Sequence, residues 1–297
     1  MVTRRAVVAS LCGASRLVGR PQAGKEGAGD AVRIPARLDA VRRFLIPARI
    51  NGSAPLWCVL DSGGGSLVAI DRETAAAIGV TASWEGLSSG PDAETMVRTG
   101  RARAVLSVAG LNLGVPVVVI KPTRLPEDGV IGMSLFSRYV VELDWESIHV
   151  RLHDAASFRY SGPGHAIPFS LEPRFNYNPF ASAILTVGEE RIPARLGIDS
   201  GSGGRSAWLS KSFVDRHGVF DEVKAFGTCM IAELSIGPVS VMKPVLRLAP
   251  KRGFGGGPEP DGLLGVDFLR RFKIFMDYTR LQIILEPVSP PENTIVV

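Results

Sequence analysis

The chain has 297 residues, a length that suits two domains of roughly 130 to 150 residues each. Hydrophobic residues make up 45% of the chain and charged residues 21%, which excludes a generally disordered protein. The net charge of +5 comes from scattered arginines without interleaved aromatic residues, so a nucleic-acid partner is not indicated.

The chain begins with a short basic segment followed by a mildly apolar one. Two arginines precede the stretch from Ala6 to Ala14, an order that resembles a bacterial export signal of the twin-arginine kind, although Arg16 cuts it short. We assign residues 1–30 as a leader or disordered N-terminus and expect a periplasmic or secreted protein. A cytoplasmic protein with a disordered N-terminus is the alternative. No later apolar run reaches the length of about 20 residues that crosses a bilayer, so no membrane span is predicted.

The first half of the chain contains a strand that ends in a tight turn. The apolar residues 56–60 run into Asp61-Ser62-Gly63, and a short helix with an aspartate cap is predicted from 71 to 79. An apolar strand then ends in Val130-Ile131-Gly132. A hairpin with its return strand at 148–152 closes the half.

The second half repeats these landmarks in the same order. They are Asp199-Ser200-Gly201, a helix from 210 to 218, Leu263-Leu264-Gly265 and a return strand at 281–285. Matched landmarks in one order indicate an internal duplication. Outside the two short helices the pattern alternates and breaks at Gly and Pro, so each half is predicted to be mostly strand.

The duplication predicts two lobes with a turn-rich connection between them. Lobe 1 is assigned to residues 31–154 and lobe 2 to residues 164–287. The connection at 155–163 is marked by a Ser-Gly-Pro-Gly sequence. Residues 288–297 are assigned as a tail.

The duplicated turn indicates a particular chemistry. A strand that ends in Asp-Ser-Gly holds a carboxylate at a turn where glycine lets the backbone approach it. Two such turns would bring Asp61 and Asp199 together on a pseudo-two-fold axis. Two carboxylates about 3 Å apart cannot both ionise, so the pair would share one proton and supply both a general base and a general acid. That equipment hydrolyses an amide without a metal, a cofactor or a covalent intermediate.

On these motifs the sequence resembles the retropepsin-like aspartic proteases, particularly the bacterial branch with two such domains in one chain. The resemblance covers residues from about 45 to 287 and depends on each Asp-Ser-Gly turn being paired with a downstream apolar-apolar-Gly strand. It implies a mainly β fold of two lobes in tandem, related by a pseudo-two-fold axis. It also implies an aspartic endopeptidase that acts on peptides or proteins, needs no cofactor or metal, and works as a monomer with an intramolecular pseudo-dimer.

The resemblance also implies which residues form the site. Asp61 and Asp199 would be the catalytic dyad, and Ser62 and Ser200 would tie the two turns together. The remaining supporting residues are the glycines of the turns and the ends of the strands behind them: Gly63, Gly201, Ile131, Gly132, Leu264 and Gly265. The sequence departs from the family where a small residue such as alanine usually follows the turn, since Gly64 and Ser202 stand there.

Other interpretations of these motifs stay open. Asp-Ser-Gly is a good turn sequence in any protein, so both aspartates can be simple turn caps. The same fold can also belong to a catalytically inactive, peptide-binding relative, or to a metal-independent hydrolase of another bond. Cleavage of a peptide library and analysis of the products distinguish these cases.

Several further motifs are assigned no function. His149 and His153 stand at a strand end rather than on a helix, which argues against a metal site. The glycine-rich residues 253–257 lack the Lys-Ser/Thr of a phosphate loop, and no Gly-x-Ser-x-Gly elbow occurs. Cys58 is expected to be packed, and Cys229 has no assigned role.

A further, weaker pair of matching strands is Leu106-Ser107-Val108 and Leu234-Ser235-Ile236, and the two halves differ in length before it. Asp61 is 45 residues before Leu106, whereas Asp199 is 35 residues before Leu234. We predict that the extra residues in the first half form a mobile hairpin around 87–96 that closes over the cleft, with at most a short counterpart in lobe 2. A surface insertion away from the cleft is the alternative.

Overall fold

The computed structural model describes residues 31–65, 68–89, 96–125, 127–172, 177–249, 260–288 and 294–296. The assigned leader lies outside them. The strands of the first half are β1 (Val32–Ile34), β2 (Arg37–Leu38), β3 (Phe44–Ile50), β4 (Leu56–Leu60), β5 (Val68–Asp71), β6 (Trp84–Ser89), β7 (Met96–Arg103), β8 (Leu106–Val108), β9 (Leu111–Asn112), β10 (Val117–Lys121), β11 (Gly129–Ile131), β12 (Tyr139–Asp144) and β13 (His149–Asp154).

The second half is built in the same way. Its strands are β14 (His165–Pro168), β15 (Ser170–Glu172), β16 (Asn178–Val187), β17 (Glu190–Ile198), β18 (Ala207–Leu209), β19 (Thr228–Met230), β20 (Glu233–Ile236), β21 (Val239–Met242), β22 (Val245–Leu248), β23 (Gly262–Leu264), β24 (Phe272–Asp277), β25 (Gln282–Pro287) and β26 (Thr294–Val296). The α-helices of both halves are short: α1 (Arg72–Ala77), α2 (Met133–Phe136), α3 (Lys211–Arg216), α4 (Asp221–Phe226) and α5 (Val266–Leu269).

Each half forms a ten-stranded sheet, and the central strands of the two sheets match. The first sheet has the order β6-β7-β10-β5-β11-β4-β3-β8-β9, with β2 paired to β3. The second has the order β19-β22-β18-β23-β17-β16-β20-β21-β26, with β15 paired to β16. In each sheet the apolar-apolar-Gly strand lies parallel to the strand that ends in Asp-Ser-Gly, β11 beside β4 and β23 beside β17. This pairing brings the two predicted landmarks of each half together.

A third sheet of six strands joins the halves. Its order is β1-β13-β12-β24-β25-β14, and β12 pairs antiparallel with β24, with Val141 opposite Met276. The closing hairpin of each half therefore lies in a sheet shared with the other half. The assigned linker falls between β13 and β14, and its exact bounds stay a prediction. The assigned tail is not wholly free, because β26 adds a strand to the second sheet beside β21.

The two predicted helices exist and begin at their predicted caps. The Asp71 carboxylate accepts a hydrogen bond from the Thr74 N–H at 2.8 Å, and the Ser210 hydroxyl accepts one from the Phe213 N–H at 3.1 Å. Three further α-helices in the described part of the chain were not predicted, α2, α4 and α5, and α4 ends at Gly227 in the left-handed conformation (φ 72°). The predicted return strands each begin one residue later than expected, because Ile148 and Leu281 are left-handed turn residues.

The core is continuous through both halves and consists mainly of aliphatic and phenylalanine side chains on the inner faces of the strands.

Within the described ranges, no helix is long and apolar enough to cross a membrane. No group of three metal-ligating side chains is positioned for a metal ion in this part of the chain.

Candidate active site

The first aspartate lies where β4 leaves the centre of its sheet. The Asp61 N–H donates to the Ile131 carbonyl at 2.9 Å, which continues the parallel pairing of β4 with β11 by one residue. Gly132 then passes directly behind the turn. A Cβ atom at this position would collide with the Gly65 carbonyl oxygen, so only glycine fits. The strand behind the turn therefore fixes the backbone from which the Asp61 side chain projects.

The second aspartate is held in the same way. The Asp199 N–H donates to the Leu264 carbonyl at 3.0 Å, continuing the pairing of β17 with β23. A Cβ at Gly265 would come within 2.7 Å of the Ser202 carbonyl oxygen, so this glycine also passes closely behind its turn. The two apolar-apolar-Gly strands thus occupy equivalent positions.

The serines of the two turns are linked by four hydrogen bonds. The Ser62 N–H donates to the Ser200 Oγ at 2.9 Å, and the Ser200 N–H donates to the Ser62 Oγ at 3.0 Å. Each hydroxyl then donates to a carbonyl of the opposite half, Ser62 to Ile198 at 2.8 Å and Ser200 to Leu60 at 2.9 Å. Both serines are 3% exposed, so water does not compete for these bonds. The turns are therefore connected across the pseudo-two-fold axis.

Each carboxyl group lies over the glycine of the opposite turn. A Cβ at Gly63 would lie 2.6 Å from the Asp199 Cγ, and a Cβ at Gly201 would overlap the Asp61 carboxyl group. Any side chain at either position would have to displace a carboxyl group. The third residue of each turn is therefore glycine because the two turns approach so closely.

The two carboxyl groups lie within hydrogen-bonding reach of each other. Burial raises the pKa of Asp61 above its ordinary value, although the hydrogen bond from Asp199, the N–H groups of Gly63 and Gly64, and the charge of Arg43 all oppose the rise. Burial and the neighbouring Asp61 charge raise the pKa of Asp199 well above its ordinary value. Two buried carboxyl groups whose pKa values are both raised in this way are suited to share one proton.

Sequence reasoning missed two aspartates that support the site from behind. Asp128 precedes the first apolar-apolar-Gly strand, and its carboxylate accepts the Trp57 N–H at 2.7 Å. Asp261 occupies the matching position in the second half and accepts the Arg195 N–H at 2.8 Å. Both residues stand immediately before the first residue of the apolar-apolar-Gly strand, and this repeated position was the signal that could have identified them.

Arg43 was also not singled out by the sequence. Its charge acts on Asp61, and its Nε donates to the Asp39 carboxylate at 2.6 Å within a tight turn. Next to it, Val41 packs against the second Asp-Ser-Gly turn, since a Cβ at Gly203 would lie 2.5 Å from its side chain. A segment of the first half therefore contacts the turn of the second.

The histidines and cysteines that were assigned no function from the sequence have the following surroundings. The imidazoles of His149 and His153 both hydrogen-bond the Glu142 carboxylate, at 3.1 and 2.7 Å. Burial works against ionisation of Glu142, but these hydrogen bonds outweigh it and hold its pKa at about 2. Cys58 is buried with a pKa raised to about 12, and burial raises the pKa of Cys229 to about 11. The glycine-rich residues 253–257 lie outside the described part of the chain.

The hairpin predicted in the first half exists. It consists of β6 and β7, which pair antiparallel from Trp84 opposite Arg101 to Ser89 opposite Met96. The residues between the two strands lie outside the described ranges. In the second half, β19 occupies the position of β7, and helix α4 precedes it where β6 would be. That the hairpin closes over the cleft stays a prediction.

Comparison with known proteins agrees with this geometry. Residues 46–135, which contain the first Asp-Ser-Gly turn and Ile131-Gly132, match the family model described as an aspartyl protease. The crystal structure of the aspartic proteinase from Irpex lacteus matches with a TM-score of 0.58 and 13% identity, over 88% of this chain and 98% of that chain. No curated protein matches the sequence.

The chain therefore has the fold of an aspartic protease, mainly β with two lobes, as predicted. The predicted resemblance to the retropepsin-like aspartyl proteases is confirmed, and it supports a peptidase-type hydrolase. The assignment to the bacterial tandem-domain branch stays a prediction.

Proposed function

We propose that this protein is an aspartic endopeptidase in which Asp61 and Asp199 form the catalytic dyad. The observation that carries the proposal is the contact between the two carboxyl groups where the two equivalent Asp-Ser-Gly turns meet. A turn cap needs no such partner, and two buried carboxyl groups in contact are destabilising unless they share a proton. The direction of both pKa shifts supports a shared proton.

The two aspartates have different roles in this proposal. Each carboxyl group faces two N–H groups of its own turn, so the difference between them is the charge of Arg43, which acts on Asp61. Asp61 therefore carries the negative charge and acts as the base. The Asp61 Oδ1 is buried and has no hydrogen-bond partner among the described residues, which leaves it available for the shared proton. Burial and the Asp61 charge raise the pKa of Asp199 well above its ordinary value, so Asp199 keeps the proton and acts as the acid.

The reaction follows from these protonation states. Asp61 removes a proton from water as the water oxygen attacks the peptide carbonyl carbon, and Asp199 gives its proton to the carbonyl oxygen. Asp61 then gives its new proton to the amide nitrogen while Asp199 takes a proton from one hydroxyl of the tetrahedral intermediate, the C–N bond breaks, and a carboxylic acid and an amine leave. The dyad returns to one shared proton. Both carboxyl groups come from one chain, so a monomer contains the complete site.

The experiment that tests the function is cleavage of a mixed peptide library by the full chain. We expect new internal cleavage products that a statine-type transition-state mimic suppresses and that EDTA does not affect. Binding of library peptides without cleavage would instead indicate the inactive, peptide-binding relative. Products that arise from bonds other than amides would indicate a different hydrolase.

A further inference from the structure

Tyr278 contacts the first catalytic turn from the opposite half of the molecule. It follows β24 directly, is 3% exposed, and its O–H donates to the Ser62 carbonyl at 3.2 Å. Ser62 also bonds Ser200 through its N–H and Ile198 through its hydroxyl. Every polar group of Ser62 is therefore bonded to a residue of the second half.

The tyrosine ring is held rigidly in place. It stacks on Phe136 with ring centroids 5.5 Å apart, and Phe169 meets it edge-on at 5.2 Å. The preceding residue, Asp277, is fully buried and accepts both the N–H and the guanidinium of Arg280, at 3.0 and 2.8 Å. Because the turn and the ring are both fixed, the phenol oxygen has one position.

The carbonyl that Tyr278 binds belongs to the same peptide group as a donor to the dyad. The Ser62 carbonyl and the Gly63 N–H are the two ends of one planar, trans peptide unit, so they point in opposite directions. The Gly63 N–H faces the Asp61 carboxylate and lowers its pKa. The phenol therefore binds one end of a peptide group whose other end acts on the carboxylate, and the hydrogen bond from the phenol polarises that peptide group.

The Asp199-Ser200-Gly201 turn receives no equivalent contact from the residue that matches Tyr278 in the repeat. The internal repeat aligns Tyr278 with Trp145. The indole N–H of Trp145 donates to the Arg42 carbonyl at 2.9 Å, and its ring packs on Phe44. Trp145 thus supports the turn that carries Arg43 rather than a catalytic turn. The hydrogen bond from Tyr278 distinguishes the environment of Asp61 from that of Asp199.

We propose that Tyr278 is a positioning residue for Asp61, acting through the Ser62–Gly63 peptide group. This inference rests on the proposed peptidase function. The phenol O–H holds the peptide plane so that the Gly63 N–H remains directed at the Asp61 carboxylate, and it strengthens that donation. Burial, together with the charges of the two aspartates, raises the pKa of Tyr278 well above its ordinary value, so the phenol keeps its proton and remains a donor throughout the working pH range.

Two substitutions at this position change the donor in opposite directions. Tyr278→Phe keeps the ring and its packing but removes the O–H, and replacement by 3-fluorotyrosine keeps the O–H and makes it a stronger donor. For the phenylalanine variant we expect kcat to fall about three- to tenfold, the effect of one neutral hydrogen bond, with KM little changed. The acidic limb of the kcat/KM profile moves to higher pH in this variant, because the Asp61 carboxylate loses stabilisation. The fluorotyrosine protein moves that limb to lower pH.

A matched control separates positioning from general stability. Tyr160→Phe also removes one phenol O–H, which donates to Glu286 at 2.7 Å and accepts the Gly164 N–H. We expect its pH profile to superimpose on that of the wild type, even where its thermal unfolding midpoint is lower. If Tyr278→Phe does not fold, the fluorotyrosine protein alone carries the test.

The outcomes are distinct. If the wild type cleaves peptides and both variants at position 278 have the same pH profile as the wild type, this inference is overturned and the peptidase function is left intact. Shifts of the acidic limb in the same direction for both substitutions would overturn it too. A wild type that cleaves no peptide would overturn the proposed function, and the positioning role would fall with it.

Discussion

Removal of the Ser200 hydroxyl tests the connection between the two turns. Ser200→Ala deletes two of the four linking hydrogen bonds, the one from the Ser62 N–H at 2.9 Å and the one to the Leu60 carbonyl at 2.9 Å. Both partners would remain buried, because the site is closed to water on this side. At about 1 kcal/mol for each lost bond, with a further cost for the two unsatisfied groups, the expected destabilisation is about 2 to 4 kcal/mol.

The assay is chemical denaturation of the full chain in urea, followed by tryptophan fluorescence. We expect a lower midpoint at an unchanged slope, and a large loss of peptide cleavage because the carboxyl groups are no longer held in contact. Ser200→Thr is the matched control, since it keeps the hydroxyl, and it should remain near the wild type. A Ser200→Ala protein within about 0.5 kcal/mol of the wild type would refute the reasoning, because that is the range of ordinary surface substitutions.

Three further predictions follow from individual contacts. Gly201→Ala places a methyl group in the space of the Asp61 carboxyl group, so peptide cleavage should be abolished, and cleavage near the wild-type rate would contradict the described approach of the turns. Glu142 has a folded-state pKa of about 2 against an ordinary value of 4.5. Its contribution to stability is therefore complete above pH 4.5 and lost as the pH falls towards 2; Glu142→Gln should be less stable than the wild type at pH 7, by a margin that narrows over that window in urea titrations. Leu87 is 57% exposed on β6, and Leu87→Ser should raise KM if the hairpin closes on substrate, whereas Val105→Ser, at a 40% exposed position outside the hairpin, should not.

The sequence predicted the parts of the site that depend on local signals. Asp61-Ser62-Gly63 and its repeat could be recognised because a strand, a tight turn and a downstream apolar-apolar-Gly strand each have a residue pattern of their own. The duplication then placed the two turns in equivalent environments. It also indicated that the first half has the longer insertion, which forms the β6–β7 hairpin.

The parts that could not be predicted depend on which elements meet. Alternation in β12 and β24 shows that both are strands, but it does not show that they pair with each other and join the two halves in one sheet. The contact of Tyr278 with Ser62 spans 216 residues of sequence and has no local pattern. Helix α4 has six residues, like the two predicted helices, but it begins after Phe220 without a side-chain cap, so no capping residue marks its start in the sequence.

The most direct test of the account is the effect of asparagine at each dyad position on kcat/KM for a cleaved peptide. Asn keeps the shape of Asp but cannot take part in the shared acid and base chemistry, so Asp61→Asn and Asp199→Asn should each lower kcat/KM about a hundred- to ten-thousandfold. Asp215→Asn, at an exposed position on α3, is the control and should leave it unchanged. Retention of kcat/KM within a few-fold of the wild type in either dyad variant would contradict the assignment of that aspartate to the reaction.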